Sequence, residues 1–259
     1  MLRSHAPEVA AALDRLTVVP LDDLVAGEAP EVVAFAEQFA VDVSMVSDEQ
    51  RDALVAALGP RTRTFAGRLY VADWVPRARR ALTQLGQLDP LTGLAAPRPT
   101  ADGADDPWPA LDELWRAIAR LRVLDPVTTE VLRLRQARQH NCRICQSLRS
   151  RSALVAGGDE ETYAAIDDHA GSSSLSERHR TGLAVVDALV WDPAGLGPDL
   201  VAAVRAHYSP AEQVELVLDL LRNAANKVAV ALGTDAAHVT EGTEVYDVLE
   251  DGSVVFGLG

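Results

Sequence analysis

Both cysteines of the chain stand in one short stretch, HNCRICQSLR, from His140 to Arg149. Cys142 and Cys145 have C-x-x-C spacing, and two thiols so placed can cycle between dithiol and disulfide. The pattern predicts a helix that is capped by Asn141, begins at Cys142 and runs to about Val155. Both sulfurs would then share one helix face. Free N–H groups and the helix dipole at such a start favour a thiolate. Arg149, four residues after Cys145, falls on the same face, and Arg138 and Arg143 add positive charge nearby.

Other uses of the pair fit less well. Zinc sites usually take four ligands. A second C-x-x-C is absent, and His140 adds a third candidate ligand without a clear fourth, so no metal and no cofactor is expected. A buried structural role suits free cysteine in general, but the flanking residues here are polar. A thioredoxin-type motif needs a βαβ context, whereas the surroundings are helical. A disulfide scaffold cannot be built from two cysteines three apart.

The elements that must position this stretch are mostly helices. Asp125 and Pro126 supply a cap and a first-turn proline ahead of VTTEVLRLRQARQ, in which Val127, Val131, Leu134 and Ala137 recur at helical spacing. Ser176 caps a helix over LSERHRTGLAVVDALVWDP, and Pro193 closes it. A short helix follows over PDLVAAVRAHY. In SPAEQVELVLDLLRNAANKVAVALG, Ser209 caps, Pro210 follows, Glu212 completes a capping box and Gly233 terminates. The tail TEVYDVLEDGSVVFG predicts two short strands around Asp251-Gly252. A lone hairpin is marginal in water, so it should dock on the body or on a neighbouring subunit.

A Pro/Gly/Asp-rich linker over 88–109 separates residues 1–87 from an α-helical domain over 110–237, and 238–259 form a β extension. The two larger portions resemble one another. FAEQFAVD matches VVDALVWD, SDEQRDALVAAL matches GPDLVAAV, and RRALTQLG matches VAVALG, in the same order. This predicts a degenerate internal repeat whose N-terminal copy lacks C-x-x-C. Chance likeness of Ala/Leu/Val-rich helices is the alternative.

A glutamate twelve residues before C-x-x-C, on the preceding helix, resembles the signature of the AhpD-like/carboxymuconolactone decarboxylase family, E-x(11)-C-x-x-C-x(3)-H. Glu130, Cys142 and Cys145 match in identity and spacing. The downstream helices, with Asn223 and Asn226, are also similar, and the resemblance covers about Leu111 to Asp235. It implies an all-α, AhpD-like helical fold, here with a degenerate internal repeat and a small C-terminal β-hairpin. One position departs, since Arg149 stands where the family has histidine. In AhpD-type peroxidases the resemblance assigns that histidine to a proton relay between the glutamate and a cysteine. Arginine does not deprotonate in proteins, although it can hold a thiolate or a carboxylate. His140 is the candidate replacement. Glu130 is either a general base or an ion-pair partner of Arg133, Arg135 or Arg149.

The resemblance therefore implies a thiol-dependent hydroperoxide reductase or disulfide oxidoreductase. Its candidate residues are Cys142, Cys145, Glu130, His140 and Arg149. Its partners would be a hydroperoxide or disulfide substrate, a dithiol reductant protein and further copies of the chain in a homo-oligomer. A lactone decarboxylase and a non-catalytic redox sensor are the alternatives. Composition narrows the remaining classes. A net charge of −14 disfavours nucleic acid. No run of about 18 uncharged apolar residues predicts a membrane span, and no signal peptide is apparent, so the expected location is the cytoplasm.

Overall fold

The computed structural model describes residues 2–88, 106–192 and 194–258. Most of the expected 88–109 linker, and Pro193, lie outside the described residues.

The N-terminal helices are α1 (Leu2–His5), α2 (Pro7–Leu13), α3 (Leu21–Leu24), α4 (Pro30–Val41), α5 (Asp48–Leu58) and α6 (Thr62–Gln84). After the linker come α7 (Trp108–Ala119), α8 (Pro126–Gln139), α9 (Arg143–Ser147), α10 (Arg151–Val155) and α11 (Glu160–Ala164). The last group is α12 (Glu177–Trp191), α13 (Pro198–His207), α14 (Pro210–Asn223) and α15 (Asn226–Ala231). The fold is mostly helical. A small sheet is formed by β1 (Leu148–Ser150), β2 (Glu244–Val248) and β3 (Val254–Phe256).

Local signals set most helix starts. Asp125 accepts the Thr128 N–H at 2.8 Å and starts α8. The Ser209/Glu212 capping box starts α14, with the Ser209 N–H donated to Glu212 Oε2 at 2.7 Å. Ser176 caps α12. The two portions of the chain pack into one apolar cluster centred on α6 and α14. Tyr70, fully buried on α6, donates its hydroxyl to the Leu221 carbonyl of α14 at 2.6 Å. α4, α5 and α6 follow one another as α12, α13 and α14 do. Asp42 and Asp192 end α4 and α12 in extended conformations, and Gly86 and Gly233 take positive φ beyond α6 and α15.

The cysteine stretch departs from the predicted single helix. Asn141 belongs to the preceding element, with φ 53°. Its N–H goes to the Arg138 carbonyl, and the Cys142 N–H goes to that of Ala137, at 3.0 and 2.9 Å. This is the left-handed closing turn of α8, a role asparagine fills almost as glycine does. Cys142 itself is the cap of α9, which stops at Ser147. Residues 148–150 then extend and pair in parallel with β2, with Arg149 opposite Val245. A partner strand some 95 residues away in sequence overrides the local helix preference.

The predicted hairpin is present. Tyr246 pairs with Phe256 and Val248 with Val254. It docks on the body of the same chain through β1 and through its turn. Gly252, with φ 81°, lies so close to α7 that a Cβ would meet the Arg116 carbonyl at 2.3 Å. Among the described residues, no helix is long and apolar enough to cross a membrane.

Candidate functional site

The closing turn of α8 delivers Cys142 into the core, and one turn of α9 brings Cys145 back to it. The two form a disulfide with Cα atoms 5.3 Å apart. They differ in access. Cys142 is fully buried, whereas Cys145 is half-buried and lines a cavity of about 470 Å³. The Cys142 sulfur also accepts the Cys145 N–H at 3.3 Å.

The other donors at the start of α9 are already used. Asp235 accepts the Arg143 N–H on its carboxylate, and its carbonyl accepts the Ile144 N–H, each at 2.9 Å. The Arg143 guanidinium pairs with the same carboxylate at 2.6 Å. Arg138 pairs with Asp167 at 2.8 Å. The positive surroundings expected for the thiols are therefore largely neutralised.

Glu130 is fully buried on α8 and forms a junction of four elements. Its carboxylate accepts Nε and Nη2 of Arg133, each at 2.7 Å. It also accepts the Ser150 N–H of β1 at 3.0 Å and the Tyr246 hydroxyl of β2 at 3.2 Å. Arg133 in turn donates to the carbonyls of Cys145 and Leu148, at 2.7 and 2.8 Å. These are orphan acceptors at the end of α9. Of the partners proposed for Glu130 from sequence, Arg133 is the one it takes. Arg135 pairs with Asp187 at 2.7 Å and Arg149 with Glu160 at 2.6 Å.

Arg149 does not join the cysteines on one face, because the backbone at 148–150 is a strand and not a helix. Its guanidinium holds Glu160, the carbonyls of Gln146 and Leu148 at 2.8 Å, and the Tyr163 ring at 5.5 Å. It is not among the residues lining the cavity.

His140 is buried at the end of α8. Its Nδ1 donates to Asn226 Oδ1 at 2.6 Å and its Nε2 has no partner among the described residues. Burial, reinforced by the Lys227 charge, pushes its pKa down to about 3. It is a neutral, weakly basic ring at pH 7, and Asn226 stands between it and the cavity that Asn226 lines. Among the described residues, no three metal-ligating side chains converge.

Sequence reasoning missed Tyr246, Arg222 and Asp235 as site residues. Tyr246 and Arg222 line the cavity, and burial above all pushes the Tyr246 phenol up to about 12, which keeps it a donor. Asn226, noted in sequence, is the link from His140 to the cavity wall.

Two Mycobacterium tuberculosis proteins align with most of the chain. They are the uncharacterized proteins MT2376 (strain CDC 1551 / Oshkosh) and Rv2313c (strain ATCC 25618 / H37Rv). Each is 45% identical over 227 residues, 87% of this chain and 80% of the relative. The chain belongs to their family. No family model matches this sequence, and no solved structure matches it.

Proposed function

We propose that the chain is an AhpD-like thiol oxidoreductase that reduces a hydroperoxide or a disulfide through Cys142 and Cys145. The observation that carries this reading is the unequal exposure of two bonded cysteines. Cys145 opens onto the cavity, while Cys142 is buried behind it. That division suits an attacking and a resolving thiol.

With a hydroperoxide, the Cys145 thiolate attacks the terminal oxygen and the O–O bond breaks. The alkoxide leaves and takes a proton to become an alcohol, and Cys145 becomes a sulfenic acid. Cys142 then attacks the Cys145 sulfur, forming the disulfide and releasing water. A dithiol protein reopens the disulfide and is itself oxidised. With a disulfide substrate, Cys145 forms a mixed disulfide that Cys142 resolves.

The redox-sensor reading draws support from Arg149. Its pairing with Glu160 leaves no group at that position for a relay to the thiols. The parallel order of α4–α6 and α12–α14 supports a duplicated AhpD-like unit whose 1–87 half lacks the cysteines. We place the protein in the cytoplasm as a homo-oligomer.

The test mixes reduced protein with cumene hydroperoxide and dithiothreitol and follows peroxide loss. Turnover is expected, abolished in Cys145→Ser, with a sulfenic acid trapped in Cys142→Ser. Disulfide formation without turnover would favour the sensor. Neither disulfide nor peroxide loss would overturn the redox reading.

A further inference from the structure

The cavity beside Cys145 is lined by more positive than negative side chains. Arg116, Arg133 and Arg222 line it with a single carboxylate, Asp112, although the chain as a whole is strongly acidic, at −14. Two of these arginines are committed. Arg116 pairs with Asp112 at 2.8 Å and Asp251 at 3.2 Å, and Arg133 is held by Glu130.

Arg222 differs. It comes from the last turn of α14 and is half-buried, and its guanidinium makes no hydrogen bond or ion pair among the described residues. Asp219, three residues earlier on the same helix, attracts the guanidinium but makes no ion pair with it. The Asp219 Oδ2 has no hydrogen-bond partner among the described residues, and burial followed by the Glu215 charge pushes that carboxyl up to about 8, which weakens the attraction. A guanidinium stays charged in proteins, and one without a hydrogen-bond partner has donors free to hold an anion by a bidentate contact. The rest of the wall combines an apolar side, with Trp115, Ile144, Leu148, Val254 and Phe256, and the polar side chains of Asn223, Asn226, Tyr246 and Ser253. At about 470 Å³ the cavity is the size of a small-molecule site.

We infer that this cavity binds a monocarboxylate with an apolar body, its carboxylate forked on Arg222 and its body along Trp115, Ile144 and Phe256 beside Cys145. One free guanidinium offers one bidentate fork, which matches a carboxylate. The apolar side of the wall suits a ligand with an apolar body. The inference deepens the redox reading by naming a substrate class, and rests on that reading only for what Cys145 then does; binding itself needs no thiol.

Octanoate and octanol are the probes, titrated calorimetrically into the full chain in its disulfide form. Octanoate is expected to bind at least about tenfold tighter than octanol, the worth of one charged hydrogen-bonded contact. Arg222→Gln should abolish that preference and Arg222→Lys should retain part of it. Bound octanoate should also slow alkylation of Cys145 by iodoacetamide in the reduced chain. Equal affinity of the wild-type chain for the two probes would overturn the inference without recourse to any variant. So would no binding of either probe, or an octanoate preference that survives in Arg222→Gln. A chain that prefers octanoate yet consumes no peroxide and forms no disulfide keeps the binding site and loses the redox function.

Discussion

The guanidinium of Arg133 joins Glu130 to the carbonyl of Cys145, with 2.7 Å contacts on both sides. The glutamate that resembles a catalytic base from its spacing thus holds the cysteine turn in place. It reaches β1 and β2 through Ser150 and Tyr246. Glu130, Arg133 and the end of α9 form one buried polar unit, in which each member satisfies another.

Removing Glu130 should therefore act on stability first. Glu130→Ala leaves Arg133 with an uncompensated buried charge, a class of change that costs about 3–5 kcal/mol. It also strips the acceptors from Ser150 and Tyr246, so the hairpin should loosen with the rest. Urea unfolding of the reduced and oxidised chain measures this. A loss below about 1 kcal/mol, the scale of an exposed ion pair, would mean that the junction is not what holds the turn.

Arg149 should behave as a strap for β1 and not as a partner of the thiols. Arg149→Met removes the contact with the largely exposed Glu160 and the bonds to the Gln146 and Leu148 carbonyls. The expected destabilisation is about 1–3 kcal/mol, the range for hydrogen bonds to a charged group. The alkylation rate of Cys145 should stay within about twofold of wild type, since the Arg149 guanidinium is held by Glu160 and two carbonyls and does not line the cavity that Cys145 meets. Arg149→His should likewise fail to raise peroxide turnover. A large change in thiol reactivity in either variant would return Arg149 to the site.

How far the sequence foretold this arrangement depends on the range of the cause. The starts of α8 and α14 lie in adjacent residues, Asp125 with Thr128 and Ser209 with Glu212, and both were legible. The Asp251-Gly252 turn was legible for the same reason. Asn141 was ambiguous, because asparagine both starts helices and closes them in the left-handed region. Its position after thirteen helical-looking residues did not decide between the two. β1 was invisible, since LRS is a strand only because Glu244–Val248 lies beside it. Asp235, Tyr246 and Arg222 reach the site from distant segments through tertiary packing alone. The candidate cysteines could be named from spacing, but which of them meets a cavity could not.

His140 should leave its mark on acid stability. Its folded pKa is about 3 against an ordinary 6.5. Between those values the unfolded chain holds the extra proton, so stability falls as pH drops below about 6.5, by about 1.4 kcal/mol per unit. The contribution is intact above that pH. His140→Gln has no ring to protonate and should show a shallower loss between pH 6 and pH 4. Parallel curves for the two chains in chemical denaturation would show that the ring is not held neutral.

Asp219 should tilt the curve in the opposite direction. Its folded pKa is raised to about 8 from 3.8, by burial first and the Glu215 charge second. The folded chain keeps the proton in that window while the unfolded chain has lost it. Stability therefore falls as pH rises from about 4 towards 8, again by about 1.4 kcal/mol per unit. Asp219→Asn preserves the shape and removes the titration. The variant should gain on wild type steadily across that range, with a higher melting temperature at pH 7.5 than its behaviour at pH 4 would suggest. If the offset between the two chains is the same at both pH values, Asp219 is ionised in the folded state. Arg222 would then have a charged neighbour after all, and the octanoate preference should shrink with it.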